Sequence, residues 1–213
     1  MKSGADLETA YPELPRNAFA KADTSPDTAF YVQPRLVEHI DPAAVAAVTK
    51  LYQEFVPAGG VVLDLMSSWI SHLPGTEYAE VVGHGMNAEE LAANPRLDRW
   101  FVQDLNANPA LPLDNAKFDA ALMCVAVQYV QRPAEVFAEL ARVLRPGAPL
   151  VVTFSNRCFP TKAVAIWQAL PGPDQTRLVE LYLQRAGFVG TERREVLSGR
   201  RGDPLWAVMG RAP

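Results

Sequence analysis

A carboxylate, two hydroxyl groups and an imidazole follow one another closely at the end of an apolar segment. The segment Val61–Leu65 is apolar apart from Asp64, and the residues up to His72 include Ser67 and Ser68. A short apolar run after a glycine pair is typical of a central parallel strand that is covered on both faces. Ligands of open α/β sheets bind just beyond the carboxyl ends of such strands. The sequence therefore predicts a functional site between Asp64 and His72.

Two further predicted strands end at regular distances along the chain. Gly85 follows a strand at residues 79–82, and Asp104 follows a strand at residues 100–103. A carboxylate accepts hydrogen bonds from the amino or hydroxyl groups of a ligand. Asp64, Gly85 and Asp104 lie at the ends of three successive predicted strands, and one interpretation of Asp104 is that it only caps the turn after it.

The remaining elements complete an alternating pattern. Residues 118–125 and 150–154 are predicted strands, and residues 133–144, 161–170 and 174–186 are predicted helices. Asp41-Pro42 is typical of a helix start, and Asn87 with Glu90 has the spacing of a capping box. Five strand–helix units followed by a terminal hairpin predict a single doubly wound α/β domain.

The first 35 residues differ from the rest because they are rich in proline and polar residues and lack periodicity. We expect residues 1–35 to form an irregular N-terminal arm and residues 36–213 to form the domain. Two aromatic side chains and Arg35 lie within Phe30–Arg35, which favours an arm that folds over a pocket. An arm that only covers core surface is the alternative.

Composition limits the function classes. The chain has 213 residues, 49% of them hydrophobic, and a net charge of −4, which is ordinary for one globular domain and makes nucleic acid a poor partner. Arginines 193, 194, 200 and 201 are interpreted as a solvated hairpin. Cys124 and Cys158 form neither a disulfide framework nor a metal site. No signal peptide or membrane-spanning run is visible, so we expect a cytoplasmic protein that does not associate with membranes.

The order of these motifs resembles that of the class I S-adenosylmethionine-dependent methyltransferases, in particular the small-molecule group called type 11. Five segments carry the resemblance over residues 36–210: Val61–Leu65, Val81–Gly83, Val102–Leu105, Phe118-Asp119 and Leu144–Phe154, the last containing Leu144-Arg-Pro-Gly147. The chain is also similar to a subgroup whose first motif is the glycine-free Asp64-Leu-Met-Ser-Ser-Trp69. The resemblance implies a Rossmann-like, seven-stranded sheet, with six parallel strands and one antiparallel edge strand from the C-terminal hairpin.

The resemblance also implies S-adenosyl-L-methionine as cofactor and S-adenosyl-L-homocysteine as product. Asp104 would accept a hydrogen bond from the adenine amino group, and Arg35 would pair with the cofactor carboxylate. Met86 could stack on the adenine, and Asn87 could bind a ribose hydroxyl. The residues expected around the cofactor are Asp64, Met66, Ser67, Ser68, Gly85, Met86, Asn87, Asp104, Leu105 and Arg35.

Two positions depart from the family pattern. The family has a glycine-rich loop after Asp64, but this chain has Met66-Ser-Ser-Trp-Ile70. The family also has an acid at the end of the second strand, which binds both ribose hydroxyls, and Gly85 aligns with that acid. The loss of such a contact weakens binding by about 1–3 kcal/mol if nothing replaces it.

Methyl transfer is an in-line displacement in which the protein mainly positions the acceptor and excludes water. A general base is needed only if the acceptor must lose a proton, and His72, Tyr129 and Tyr31 are the candidates. We therefore predict methyl transfer to a small-molecule acceptor. A non-catalytic protein with the methyltransferase fold is the alternative. An oxidoreductase that binds a dinucleotide is disfavoured, because no Gly-x-Gly-x-x-Gly follows any strand.

Overall fold

The computed structural model describes residues 10–213. Its seven strands are β1 (Val61–Asp64), β2 (Glu80–Gly85), β3 (Arg99–Val102), β4 (Ala120–Cys124), β5 (Pro149–Phe154), β6 (Val189–Leu197) and β7 (Leu205–Arg211). Its helices are α1 (Asp27–Phe30), α2 (Pro42–Phe55), α3 (Ala88–Ala93), α4 (Pro133–Val143), α5 (Ala165–Ala169) and α6 (Gly172–Arg185), with a 3₁₀ turn at Val127–Tyr129.

All seven strands belong to one sheet in the order β3-β2-β1-β4-β5-β7-β6. The first five strands pair in parallel, whereas β7 is antiparallel to both β5 and β6. The predicted α/β fold with a mostly parallel sheet and an antiparallel C-terminal hairpin is therefore confirmed. The position of the antiparallel strand was wrong in one respect, because β7 lies between β5 and β6 and leaves β6 at the edge.

The core lies on both faces of the sheet because successive strand residues point to opposite sides. Val62, Leu122 and Val151 pack with α2 on one face. Leu63, Met123 and Val152 pack on the other face, together with α4, α6 and part of the arm. Strands that are buried on both sides read as continuous apolar runs, which is why the sequence revealed the central strands clearly.

Local signals explain the ends of the helices next to the site. Asp41 Oδ1 accepts a hydrogen bond from the backbone N–H of Ala44 at 2.8 Å, so it caps α2 as predicted. The side chain of Asn87 likewise accepts from the N–H groups of Glu89 and Glu90 at the start of α3. The helix predicted at residues 161–170 is shorter, because only Ala165–Ala169 is helical.

The connection from β1 to β2 contains no helix. Residues 65–79 form turns and extended segments instead, fastened at one end by the Ser67 N–H, which donates to the carbonyl of His84 at 2.6 Å. A βαβ unit has a helix in this connection, so its absence here is a departure from the alternating pattern. This irregular segment brings the serines beside the ends of β1 and β2.

The described part of the predicted arm, residues 10–35, packs against the domain. Tyr11 and Phe19 are buried against Tyr182 of α6, at ring-centroid distances of 5.4 and 6.2 Å. Residues 1–9 of the predicted arm lie outside the described residues. Between α1 and α2, Tyr31, Arg35 and residues 37–40 line a cavity next to the sheet.

Candidate functional site

A cavity of about 350 Å³ opens at the carboxyl ends of β1 to β4, and this size suits a cofactor-sized ligand. All residues expected around the cofactor and all three candidates for a general base line it. They are Asp64, Met66, Ser67, Ser68, Gly85, Met86, Asn87, Asp104, Leu105, Arg35, His72, Tyr129 and Tyr31. The fold therefore gathers side chains that lie up to 98 positions apart, from Tyr31 to Tyr129.

Asp64 ends β1 and has a buried carboxyl group. Its Oδ2 accepts hydrogen bonds from the hydroxyl groups of Ser67, at 2.7 Å, and of Ser71. Burial raises the pKa of Asp64, and the two hydroxyl groups oppose that shift because they favour the ionised form. No donor within residues 10–213 bonds to Oδ1, so this oxygen remains available to a ligand.

His84 holds the loop after β1 in position. Its Nδ1 accepts a hydrogen bond from the N–H of Met66 at 3.1 Å, so the ring hydrogen is on Nε2, which lies 2.9 Å from the carbonyl oxygen of Gln103. Burial lowers the pKa of His84 to about 4, so the ring is neutral at pH 7. Met66 has a φ of 58°, an uncommon conformation for a non-glycine residue, and the His84 contact stabilises it.

Gly85, at the end of β2, leaves room for that loop. A Cβ at this position would lie 2.6 Å from the carbonyl oxygen of Ser67 and 3.1 Å from Cδ2 of Leu91. An acidic side chain at position 85 is therefore incompatible with the serine loop as it is folded. The glycine-free loop after Asp64 and the glycine in place of an acid at position 85 are therefore linked, because the loop occupies the space that an acidic side chain would need.

Asn87 uses both faces of its amide for contacts within the protein. Its Oδ1 caps α3, and its Nδ2 donates to the carbonyl oxygens of Tyr31 at 2.9 Å and Val32 at 3.2 Å. Both amide hydrogens are therefore engaged by the arm. Binding of a ribose hydroxyl by Asn87 stays a prediction, and it would require the Tyr31–Val32 segment to shift.

Glu90 does not complete the predicted capping box. Its carboxylate accepts hydrogen bonds from the N–H of Arg35 at 2.7 Å and from the hydroxyl of Ser68 at 2.5 Å. Glu90 is buried and lines the cavity, whereas the neighbouring Glu89 is exposed. The sequence reasoning missed this carboxylate because the capping spacing offered a sufficient explanation for it.

Asp104 follows β3 and serves two purposes in its loop. Its Oδ1 accepts from the N–H groups of Asn106 at 2.9 Å and Ala107 at 3.3 Å, which is the turn cap considered as the alternative. Within the described residues, Oδ2 has no hydrogen-bond donor and is available at the cavity. The cap fixes the carboxylate without using its second oxygen, so the two roles are compatible.

Arg35 lies among aromatic rings at the arm side of the cavity. Its guanidinium carbon is 4.5 Å from the ring centroid of Phe30 and 5.3 Å from that of Phe159. Nη2 donates to the carbonyl oxygen of Phe30 at 2.9 Å, but the buried Nη1 has no partner within residues 10–213. A buried guanidinium nitrogen without an acceptor favours an anionic or carbonyl ligand.

A buried lysine fastens the arm beside the cavity. Nζ of Lys162, which is fully buried, donates to the carbonyl oxygen of Ser25 at 2.7 Å and lies 3.1 Å from Asp23 and 3.3 Å from Asp27. Burial raises the pKa of Asp27, but hydrogen bonds from Lys21, Asn106 and Lys162 outweigh it and lower the pKa overall. Asp27 lines the cavity, so this ion cluster connects the arm to the cavity wall.

The three candidates for a general base differ in their surroundings. Burial lowers the pKa of His72, and its buried Nδ1 has no partner within the described residues. Burial raises the pKa of Tyr129 to about 12, and its hydroxyl accepts from the N–H of Phe159 at 2.9 Å. Burial also raises the pKa of Tyr31. His72 is therefore the group of the three that is best suited to accept a proton near pH 7.

Several other polar residues lie at or near the cavity. His39 and Cys158 line the cavity, whereas Gln128 is buried outside it and donates to the carbonyl oxygen of Val125 at 2.9 Å. Trp69 points away and donates to the carbonyl oxygen of Val37 at 3.0 Å. Residues 10–213 contain no group of three or more histidine, cysteine or acidic residues that could hold a metal ion.

Comparisons with known proteins concern the sequence of the sheet region and the fold. Residues 64–152 match the family described as "Methyltransferase domain". A search of curated protein sequences found no match. Among solved structures, an S-adenosylmethionine-dependent methyltransferase from Aquifex aeolicus is similar with 19% identity and a TM-score of 0.58, over 88% of this chain and 97% of that chain.

Two further solved structures share the fold. The methyltransferase in a complex with the Trm112 methyltransferase activator of Haloferax volcanii has 16% identity and a TM-score of 0.60, over 80% of this chain and 91% of that chain. The [4+2]-cyclase SpnF has 16% identity and a TM-score of 0.62, over 98% of this chain and 95% of that chain. At these identities the likeness concerns the fold. Over residues 64–152, which make up less than half of the chain, the sequence is similar to this methyltransferase domain family, and the solved structures share the fold of the sheet.

Proposed function

We propose that the chain transfers a methyl group from S-adenosyl-L-methionine to a small-molecule acceptor by in-line displacement. One observation carries the proposal: the residues expected to bind the cofactor line a single cavity beyond the carboxyl ends of β1, β2 and β3. This is where ligands bind in open α/β sheets. On this proposal the protein is a methyltransferase, and the cofactor supplies an electrophilic methyl group when bound.

Three charged groups around the cavity fit the polar parts of this cofactor. The unpartnered Oδ2 of Asp104 suits the adenine amino group, which is a hydrogen-bond donor. The unpartnered Nη1 of Arg35 suits the carboxylate of the methionine part, and Oδ1 of Asp64 suits its amino group. Asp64 ends β1 and Asp104 follows β3, and these strands flank β2, so the two acids are placed for opposite ends of one extended ligand.

The remaining contribution of the protein is to orient the acceptor and exclude water. Tyr31 and Arg35 of the arm line the cavity together with His39, and Tyr129 and Phe159 form its wall next to them. Where the acceptor must lose a proton, Nδ1 of His72 takes it, because this nitrogen is neutral, buried and without a partner within residues 10–213.

Two observations support a small acceptor: the cavity holds about 350 Å³, and the chain carries a net charge of −4 without a basic stripe in its sequence. No helix within residues 10–213 is long and apolar enough to cross a membrane. The net charge supports a small-molecule acceptor over nucleic acid.

A non-catalytic binding protein is the second candidate, and one observation favours it. The connection between β1 and β2 has no helix, and Asn87 and Glu90 are engaged by the arm. A shared fold does not decide the reaction, as the similar fold of a protein named as a [4+2]-cyclase illustrates.

Product formation separates the two candidates. The protein is incubated with S-adenosylmethionine and a panel of small acceptors, and S-adenosylhomocysteine and methylated products are measured by mass spectrometry. If the protein is a methyltransferase, S-adenosylhomocysteine and one methylated acceptor should form in equimolar amounts. Tight cofactor binding without turnover for any hydroxyl, amine, thiol or carboxylate acceptor would favour the binding protein instead.

A further inference from the structure

Glu90 is a buried carboxylate without a counter-ion of its own. Its exposed fraction is 7%, it lines the cavity, and no lysine, arginine or histidine within the described residues forms an ion pair with it. Burial of a charge is costly unless hydrogen bonds compensate it. The oxygen atoms of Glu90 therefore need hydrogen-bond donors.

The hydrogen bonds to Glu90 leave part of its capacity unused. The N–H of Arg35 donates to Oε1 and the hydroxyl of Ser68 donates to Oε2, each oxygen therefore having one described donor. An ionised carboxylate offers about four acceptor sites. About two sites remain, one on each oxygen, and this pattern matches a ligand that presents two neighbouring donors.

The position of Glu90 relative to the sheet indicates which part of a ligand it meets. Glu90 belongs to α3, directly after β2, and its partner Ser68 follows the serine whose carbonyl oxygen lies against Gly85. Strand β2 lies between β3, which leads to Asp104, and β1, which ends at Asp64. On the proposed function, these acids bind the adenine and the methionine part, so the sugar that joins them lies across the end of β2.

We propose that Glu90 binds the ribose hydroxyl groups of the cofactor, and that it replaces the acid which Gly85 cannot supply. The inference rests on the proposed function. Each vicinal hydroxyl group donates to one carboxylate oxygen, while Ser68 and the Arg35 N–H keep the carboxylate in position. Since Arg35 belongs to the arm, the carboxylate of Glu90 accepts hydrogen bonds from both the arm and the sugar.

The inference is tested with two ligands and two matched substitutions. The ligands are S-adenosylhomocysteine and its 2′,3′-dideoxy analogue, which lacks both ribose hydroxyls. The variants are Glu90→Gln and, as control, Glu89→Gln on the exposed neighbour in the same helical turn. Dissociation constants are measured by calorimetry at pH 7 on protein whose melting temperature has been checked.

We expect the wild type and Glu89→Gln to bind S-adenosylhomocysteine at least tenfold more tightly than the dideoxy analogue. Glu90→Gln should bind S-adenosylhomocysteine roughly ten- to a hundredfold more weakly, because hydrogen bonds to a charged group are lost. Its affinity for the dideoxy analogue should change less than about threefold. The preference for the intact ribose would thus nearly vanish in this variant alone.

Equal losses for both ligands would show a role in folding the site only, and would overturn the inference, as would an unchanged preference. If Glu90→Gln does not fold, Glu90→Asp is used, which keeps the charge but shortens the side chain by one methylene. The ratio of its dissociation constants for the two ligands then tests the inference in the same way. Failure of the proposed function looks different, because the wild type would then bind neither ligand.

Discussion

The carbonyl oxygen of Ser67 lies so close to Gly85 that a Cβ at position 85 would come within 2.6 Å of it. Ser67 belongs to the loop after β1 and Gly85 ends the neighbouring strand β2. The loop that replaces a glycine-rich segment therefore requires a glycine on the opposite side of the contact. In the family, the glycines that allow close backbone contact follow β1, whereas in this chain the glycine that allows it ends β2.

Substitution of Gly85 by alanine tests this relationship. We expect Gly85→Ala to lower the free energy of unfolding by about 1–3 kcal/mol, because a backbone oxygen must move to accept the methyl group. Affinity for S-adenosylhomocysteine should fall as well, since Ser67 lines the cavity. Gly75→Ala is the control, because a Cβ there meets nothing within 4 Å. Denaturant unfolding with equal effects for both variants would contradict the account.

His84 makes a distinct contribution to the dependence of stability on pH. The unfolded chain takes up a proton on this ring near pH 6.5, whereas burial keeps the folded ring neutral until about pH 4. The unfolded state therefore binds more protons between these values, and stability falls as the pH is lowered. From pH 7 to pH 5 we expect His84 to account for a loss of about 2 kcal/mol.

The variant His84→Gln isolates this contribution. It should be less stable at pH 7 by about 1–3 kcal/mol, because one amide cannot serve both the Met66 N–H and the Gln103 carbonyl. Its stability should decline less than that of the wild type between pH 7 and pH 5. Urea unfolding at both pH values measures the two slopes, and parallel slopes would show that the ring is not the group responsible.

Lys162 should control how firmly the arm is attached. Lys162→Met leaves Asp23 and Asp27 without this buried cation, and the removal of one partner of a buried ion pair costs about 3–5 kcal/mol. We expect faster hydrogen exchange in residues 23–40 and weaker binding of S-adenosylhomocysteine. Lys50→Met, on the exposed side of α2, is the control. Unchanged exchange in the arm would contradict the role of this ion cluster.

The sequence predicted the sheet well because its information is local. The buried strands are continuous apolar runs, and Asp41 and Asn87 cap their helices through contacts within three residues. The place of β7 between β5 and β6 depends on long-range pairing, which the hairpin pattern does not specify. The missing helix between β1 and β2 has the same origin, since contacts of the loop with His84 outweigh local propensity.

The sequence predicted where in the fold the site lies better than it predicted the hydrogen-bond partners of the site residues. Asp64 and Asp104 were found because acids at strand ends are informative on their own. Glu90 was missed because its hydrogen bonds join it to Arg35 and Ser68, which are 55 and 22 positions away. Such pairings depend on how the arm folds. The sequence of residues 10–40 has no periodicity from which that path could be predicted.

Cofactor binding is the central claim, and calorimetric titration of S-adenosylmethionine and S-adenosylhomocysteine tests it most directly. The wild type and Asp104→Ala are compared, with Asp114→Ala as an exposed acidic control. The account predicts micromolar binding by the wild type and the control, and a loss of at least tenfold for Asp104→Ala, because the adenine amino group loses a charged acceptor. No detectable binding by the wild type at millimolar cofactor would contradict the account.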